Sequence, residues 1–212
     1  RIDLTKNSKQ RTAIKEYQLE KLAQFLNGKN IIPRSFHVYV GTGSSLPKMR
    51  SNFTKVVEVY KKYFPHAKEI NLGGGFAFEY DNSNPKEKHF DWEKYFQFIS
   101  QKIEEMDIPK DVKLILEPGR DVFADVGSLI VSVNRIVSLK DKKNVGTDGS
   151  YVLMPSATIR KRQHALTFIN KKFEELSNPN VTGVLSGNTT LSSDYLFPGE
   201  VKVPVNLRGG DY

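Results

Sequence analysis

The chain has 212 residues, of which 38% are hydrophobic and 26% charged, with a formal net charge of +8; this length allows one large domain or two small ones. Lysines alternate with acids (Lys86-Glu87-Lys88, Lys102-Ile103-Glu104-Glu105) and the one dense basic cluster, Arg160-Lys161-Arg162, is short, which reads as a solvated surface rather than a nucleic-acid footprint. The lack of cysteine excludes disulfides and thiolate metal sites, and with neither a membrane-length apolar run nor a visible signal peptide a cytoplasmic location is the default.

In chain order, Arg1-Ile2-Asp3-Leu4 reads as the tail of a strand, followed by a polar loop through Lys6 to Arg11. Leu19, Leu22, Ala23 and Leu26 recur at helical spacing, and Asn27-Gly28 supplies the stop. Ser35 to Val40 is a strand running into the small-residue loop Gly41-Thr42-Gly43-Ser44-Ser45. Phe53, Val56, Val57, Tyr60 and Phe64 mark the next helix, which Pro65 closes. Glu69 to Leu72 is a short strand entering Gly73-Gly74-Gly75, and Asp81 to His89 is a polar loop. A helix from about Asp91 to Met106 presents Trp92, Tyr95, Phe96, Ile99 and Ile103 on one face, with Asp91 as its cap. Val112 to Glu117 then alternates as a strand suited to burial on both faces, ending in Glu117-Pro118-Gly119-Arg120.

Three rounds of strand, glycine-bearing loop and helix predict parallel strands joined by crossover helices, in a barrel or an open sheet. After Arg120 the rhythm changes to short strand-like runs: Val122 to Ala124, Leu129 to Leu139, Ser150 to Met154, His164 to Phe168 and Val181 to Leu185. The expectation is an α/β domain over residues 1–126 and a mainly β domain over residues 127–212.

The polar groups gather where α/β folds place ligands, at the carboxyl ends of strands. Gly41 to Ser45, Gly73 to Gly75 and Gly119-Arg120 combine accessible backbone N–H groups, hydroxyls and a guanidinium, which together could make a phosphate cradle, although a triple-glycine turn alone is more often a tight connection and an acid near an arginine more often a structural ion pair. Neither nucleotide signature is met: Phe78 and Leu46 occupy the places where a dinucleotide fingerprint needs its third glycine, and the Walker glycine-lysine pair is absent. His37 and Tyr39 alternate on one strand and point to one side, towards a barrel interior or a ligand, although a core histidine is the commoner case. His37, His66, His89 and His164 lack metal-ligand spacing, and no nucleophile-elbow pattern occurs.

Taken in order, Phe36-His37-Val38-Tyr39-Val40-Gly41-Thr42-Gly43, Asn71-Leu72-Gly73-Gly74-Gly75-Phe76, Glu117-Pro118-Gly119-Arg120 and Gly187-Asn188-Thr189-Thr190-Leu191-Ser192-Ser193-Asp194 resemble four motifs of the fold-type III pyridoxal-phosphate decarboxylases, which act on ornithine, diaminopimelate and related amino acids. The resemblance implies a partial alanine racemase-like β/α barrel followed by a mainly β domain. It implies pyridoxal 5'-phosphate as cofactor, an amino acid as small-molecule substrate, and a homodimer, with no nucleic-acid or membrane partner. By analogy Gly73, Gly74, Gly75, Gly119 and Arg120 hold the cofactor phosphate, with Thr42 in the place of a phosphate-binding serine. Glu117 sits against the pyridine nitrogen and keeps it protonated, so that the ring accepts the electrons left when carbon dioxide departs.

The departures bear on substrate and activity. Tyr39 stands where the family stacks a histidine on the cofactor ring, and Thr190 where it carries a catalytic cysteine. Leu191 replaces the acid that the ornithine enzymes use for the distal amine, and Met154-Pro155 replaces the arginine-proline pair of the diaminopimelate enzymes. The Schiff-base lysine of the family precedes the segment matching Arg1, and Gly210-Asp211-Tyr212 precedes the family's glycine-alanine-tyrosine motif. Residues 1–212 are therefore expected to be an inactive piece of a longer decarboxylase. The alternatives are a lysine-free relative acting in binding or regulation, and a phosphate-binding barrel with unrelated chemistry.

Overall fold

The computed structural model describes residues 1–4, 13–79, 89–159 and 164–212, apart from the side chain of Ser156. The expected loops at Lys6 to Arg11 and Asp81 to Lys88, and the cluster Arg160-Lys161-Arg162, lie outside the described residues. Those that are described divide into two compact units, 1–4, 13–79 and 89–127 in the first and 128–159 and 164–212 in the second.

The first unit is built of parallel strands. Strand β1 (Ile2–Asp3) pairs with β2 (Ile14–Lys15), and β3 (Ser35–His37) pairs with β4 (Glu69–Asn71), which pairs with β5 (Lys113–Ile115). A parallel bridge between Ile2 and Val38 joins the two sets, so the order is β2-β1-β3-β4-β5. Helices α1 (Leu19–Gly28), α2 (Leu46–Tyr63) and α3 (Trp92–Glu105) follow β2, β3 and β4 in the chain, and the short α4 (Arg120–Phe123) follows β5.

Apolar spacing drives these helices onto the sheet. Phe53, Val56, Val57 and Tyr60 of α2 are buried together with Phe64 just beyond it, in one cluster with Ile70 of β4, Val38 and Leu72 just past the ends of β3 and β4, and Leu19 of α1. A proline in the first turn suits the start of α2, just after Ser45. For α3, the Asp91 carboxylate accepts from the Lys94 backbone N–H at 3.0 Å, as its capping position predicts. On the expected apolar face of α3, Tyr95 and Ile99 are buried and Trp92 and Ile103 half-buried, but Phe96 is 48% exposed and lies over Trp92, one turn back, with ring centroids 5.7 Å apart.

Strand β5 also differs from expectation. It is the edge of its sheet, with Lys113 exposed and Leu114 and Ile115 only half-buried, because it pairs on one side alone.

The second unit is a four-stranded mixed sheet in the order β6-β7-β8-β9, formed by β6 (Val133–Leu139), β7 (Lys142–Thr147), β8 (Val181–Ser186) and β9 (Val201–Val203). Its core is Val133, Val145, Leu185, Leu196, Val201 and Val203. The run at Val181 is a strand as expected, and that at Leu129 becomes one from Val133. The other three are not. Val122 falls in α4 and Ala124 caps it; Ser150 to Met154 forms turns leading into α5 (Pro155–Ile159); His164 to Phe168 makes no ladder. In each case a few apolar residues pack without strand neighbours to pair with. Conversely β7, Lys-Lys-Asn-Val-Gly-Thr, escapes an apolar reading because its strand state comes from hydrogen bonding on both sides, to β6 and β8.

Candidate functional site

Three loops leave the carboxyl ends of β3, β4 and β5, and backbone hydrogen bonds tie them together. The Glu117 N–H donates to the Gly73 carbonyl at 3.0 Å, the Ser44 N–H to the Gly75 carbonyl at 2.8 Å, and the Ala77 N–H to the Ser44 carbonyl at 3.1 Å. The Ser44 hydroxyl, itself buried, donates to the Gly41 carbonyl at 3.0 Å and holds the Gly41 to Ser45 loop in shape.

The triple glycine is required by how closely these loops approach. A Cβ on Gly73 would stand 2.5 Å from the Val38 carbonyl oxygen and 2.9 Å from His37 Nε2. One on Gly74 would stand 2.1 Å from the Glu117 carbonyl oxygen, and one on Gly75 2.1 Å from that of Gly41. Gly75 moreover has a φ of 94°, which side-chain-bearing residues avoid. Beside Gly43 and Gly119, in contrast, a Cβ would meet nothing within 4 Å. Those two backbones border open space.

Tyr39, Gly73, Gly74, Gly75 and Glu117 are thus brought into one place. Thr42 stands exposed between Gly41 and Gly43; Gly119 is exposed, and half-buried Arg120 opens α4 three residues after Glu117. Thr190 belongs to the second unit, exposed in the loop after β8. That loop is anchored by buried Asp194, which accepts from the Tyr151 N–H at 2.9 Å, the Thr189 N–H at 2.9 Å and the Thr189 hydroxyl at 2.6 Å.

Two further residues join the first cluster. Asn71, the last residue of β4, donates from Nδ2 to Glu117 Oε1 at 2.8 Å and accepts the Gly73 N–H on Oδ1 at 2.8 Å. His37 places Nε2 3.9 Å from Glu117 Oε2, and this nitrogen is shielded from solvent with no hydrogen-bond partner. Burial lowers the His37 pKa, opposed by the Glu117 carboxylate and reinforced by the Arg1 guanidinium. The Arg1 guanidinium also lies over the Tyr39 ring, 5.0 Å from its centre. Among the described residues no group of acids and histidines has the arrangement of a metal site, and no helix is long and apolar enough to cross a membrane.

In sequence, residues 5–124 match the profile of the family described as pyridoxal-dependent decarboxylase, pyridoxal binding domain. The chain belongs to this family. It is similar to the diaminopimelate decarboxylase of Buchnera aphidicola subsp. Schizaphis graminum, at 23% identity over 185 residues, covering 83% of this chain and 44% of that protein. In structure it is similar to the lysine/ornithine decarboxylase of Vibrio vulnificus (TM-score 0.76, 17% identity, covering 96% of this chain and 53% of the other). The arginine decarboxylase of Paramecium bursaria Chlorella virus is comparable, with a TM-score of 0.74 and 19% identity, covering 99% of this chain and 56% of the other. The fold is that of these enzymes, a β/α barrel, here partial, followed by a β domain. The chain spans about half the length of the relatives it matches.

The residues fit the family's cofactor, pyridoxal phosphate. A carboxylate held by an amide suits a protonated ring nitrogen, the shielded and unpartnered Nε2 of His37 has hydrogen-bonding capacity to spare, and Gly43 and Gly119 leave their backbones approachable by a phosphate. His37 and Asn71 are the residues that sequence reasoning underrated. The alternation of His37 with Tyr39 carried a signal, and so did an asparagine two residues before a glycine, the spacing of a turn closed by the asparagine side chain.

Proposed function

We propose that this chain forms the cofactor-holding part of a pyridoxal-phosphate-dependent amino-acid decarboxylase that works in the cytoplasm as a homodimer. The observation that carries the reading is the Glu117 carboxylate, set at the end of β5 within hydrogen-bonding reach of Asn71 and beside the tightly joined glycine loops. Bound there, the cofactor supplies an electron sink for the carbon that loses carbon dioxide.

In this reading Glu117 accepts a hydrogen bond from the ring nitrogen and so favours its protonated form. Tyr39 offers a ring face, with the Arg1 guanidinium over one side. Gly73, Gly74 and Gly75 hold the three loops together. Thr42, Gly119 and Arg120, with the open backbone at Gly43, receive the phosphate, the guanidinium as a planar donor. Thr190 takes the position where the family carries its proton-donating residue, and its hydroxyl would be a weaker proton donor there than a thiol. The substrates named for the relatives, diaminopimelate, lysine, ornithine and arginine, define the class: amino acids carrying a second polar group at the far end.

The test is to add pyridoxal phosphate to the protein, follow the change in cofactor absorbance, and measure carbon dioxide release from those four amino acids. Cofactor binding by the unsubstituted chain is expected, and in the full-length enzyme carbon dioxide release should fall about a hundred-fold or more in Glu117→Gln. Absence of any cofactor binding would overturn the proposal. Binding without release from any amino acid by the full-length protein would favour a family relative acting in binding or regulation.

A further inference from the structure

We infer that Asn71 is a positioning residue of the site, assigning separate roles to the two carboxylate oxygens of Glu117. The inference rests on reading the site as a pyridoxal-phosphate site and adds how its acid is aimed.

The amide orientation of Asn71 follows from its partners. Its neighbour Gly73 presents a backbone N–H, which only Oδ1 can accept, at 2.8 Å. That leaves the NH2 group facing Glu117, where Nδ2 donates to Oε1 at 2.8 Å. One planar side chain therefore closes the turn into the triple glycine and grips the acid on the neighbouring strand end. The Glu117 main chain is fixed by the same turn, through its N–H on the Gly73 carbonyl at 3.0 Å. Backbone and side chain of Glu117 are thus held from one short stretch, residues 71 to 73.

The consequence concerns Oε2. With Oε1 occupied, Oε2 is the oxygen directed towards His37, whose Nε2 is 3.9 Å away, too far for a hydrogen bond. Oε2 is then the acceptor left for the ring nitrogen of the cofactor. Glu117 has a side chain 54% exposed and three rotatable bonds, so without the Asn71 amide it would sample solvent-directed rotamers. A carboxylate already aimed before the ligand arrives spares that ordering on binding.

Two substitutions separate this role from a merely structural one. Asn71→Ser keeps a hydroxyl able to accept the Gly73 N–H, as serine does in such turns, but is too short to reach Glu117. Asn71→Leu removes both contacts at similar volume. The readouts are the affinity for pyridoxal phosphate and the 15N NMR shift of ring-labelled cofactor bound to the protein, which reports directly on hydrogen bonding at the ring nitrogen. Asn71→Ser is expected to keep the wild-type unfolding midpoint and to bind the cofactor about ten-fold more weakly. Its ring 15N shift should move towards that of Glu117→Gln, and Asn71→Leu should move it as far or further. A folded Asn71→Ser protein with wild-type affinity and ring shift would overturn the inference while leaving the cofactor reading intact. Failure of the unsubstituted protein to bind would instead refute the cofactor reading, and this inference with it.

Discussion

Placing a methyl group on Gly74 tests the closeness of the three loops on which the site depends. The new Cβ would stand 2.1 Å from the Glu117 carbonyl oxygen, and a backbone atom cannot rotate away as a side-chain tip can. The β4 and β5 loops must therefore part by more than an ångström, an overpacking that costs about 1–3 kcal/mol. Parting them strains the 3.0 Å bond from the Glu117 N–H to the Gly73 carbonyl, worth about another 1 kcal/mol. Gly74→Ala should then destabilise the first unit by about 2–4 kcal/mol. Gly75→Ala should cost about 1–2 kcal/mol more, because its φ of 94° penalises a side chain in addition to a 2.1 Å approach to the Gly41 carbonyl. Gly28→Ala is the opposing control: it sits in α1 with nothing within 4 Å of its Cβ, so alanine should stabilise by about 0.5–1 kcal/mol. The assay is urea unfolding followed by fluorescence of Trp92, the one tryptophan, which packs against Phe76 and Phe90 and so reports on the first unit alone. A Gly74→Ala midpoint at or above that of the wild type would refute the reasoning.

Three other outcomes follow from buried polar groups. Asp121 is buried and accepts from the Phe90 N–H at 2.6 Å and from the Trp92 indole N–H; Asp121→Ala strands both donors and should cost about 2–4 kcal/mol by thermal unfolding, with a shifted Trp92 emission, whereas Asp121→Asn keeps an acceptor oxygen and costs less. Burial lowers the His37 pKa from its ordinary 6.5, so below that value the folded state binds fewer protons than the unfolded chain. Stability contributed by neutral His37 is present above pH 6.5 and is lost as pH falls towards the lowered value, and unfolding midpoints measured from pH 7.5 to 5 should decline less in His37→Gln than in the wild type. For Asp194, burial raises the pKa but the hydrogen bonds from Thr189 and Tyr151 outweigh it, so the value is lowered from 3.8. Its contribution is therefore full above pH 3.8 and lost as pH falls through the lowered value, and Asp194→Ala should speed amide hydrogen exchange at Tyr151 and Thr189, a change absent in a surface control such as Lys202→Ala.

The parts of the fold that could be read from the sequence are those where one interaction dominates. In α2, burial of Phe53, Val56, Val57 and Tyr60 sets both element and face, and the apolar period announces it. In β7 the decisive factor is pairing on both sides, and pairing leaves no trace in Lys-Lys-Asn-Val-Gly-Thr. Val122 to Ala124 fails in the opposite sense: a run that reads as a strand instead closes the short helix α4, because the turn at Pro118-Gly119 redirects the chain and the Asp121 carboxylate fastens it to Phe90 and Trp92. Sequence period measures which side chains avoid water. It is silent on where the backbone finds its partners.

The same division explains what was legible in the site. Glu117, Arg120 and the triple glycine stand out because their residue types are unusual at the end of a strand, whatever surrounds them. The glycines carry two readings, a phosphate cradle and a tight connection, and the distances give them the second as a prior duty. Alanine at any of Gly73, Gly74 or Gly75 would drive a methyl group to within 2.5 Å of a carbonyl oxygen of another loop. Loop-to-loop packing alone would therefore demand these three glycines, and their presence is by itself weak support for a ligand. Gly43 and Gly119, whose Cβ positions are open, are the glycines to which packing assigns no role, and there an anion could approach the backbone. The functional weight moves accordingly, from the triple glycine to Glu117 with its two attendants, Asn71 and His37. Neither attendant is unusual in type; only their 2.8 Å and 3.9 Å separations from the carboxylate mark them out, and such distances exist only after β3, β4 and β5, whose paired residues lie 34 and 44 apart in sequence, are laid side by side.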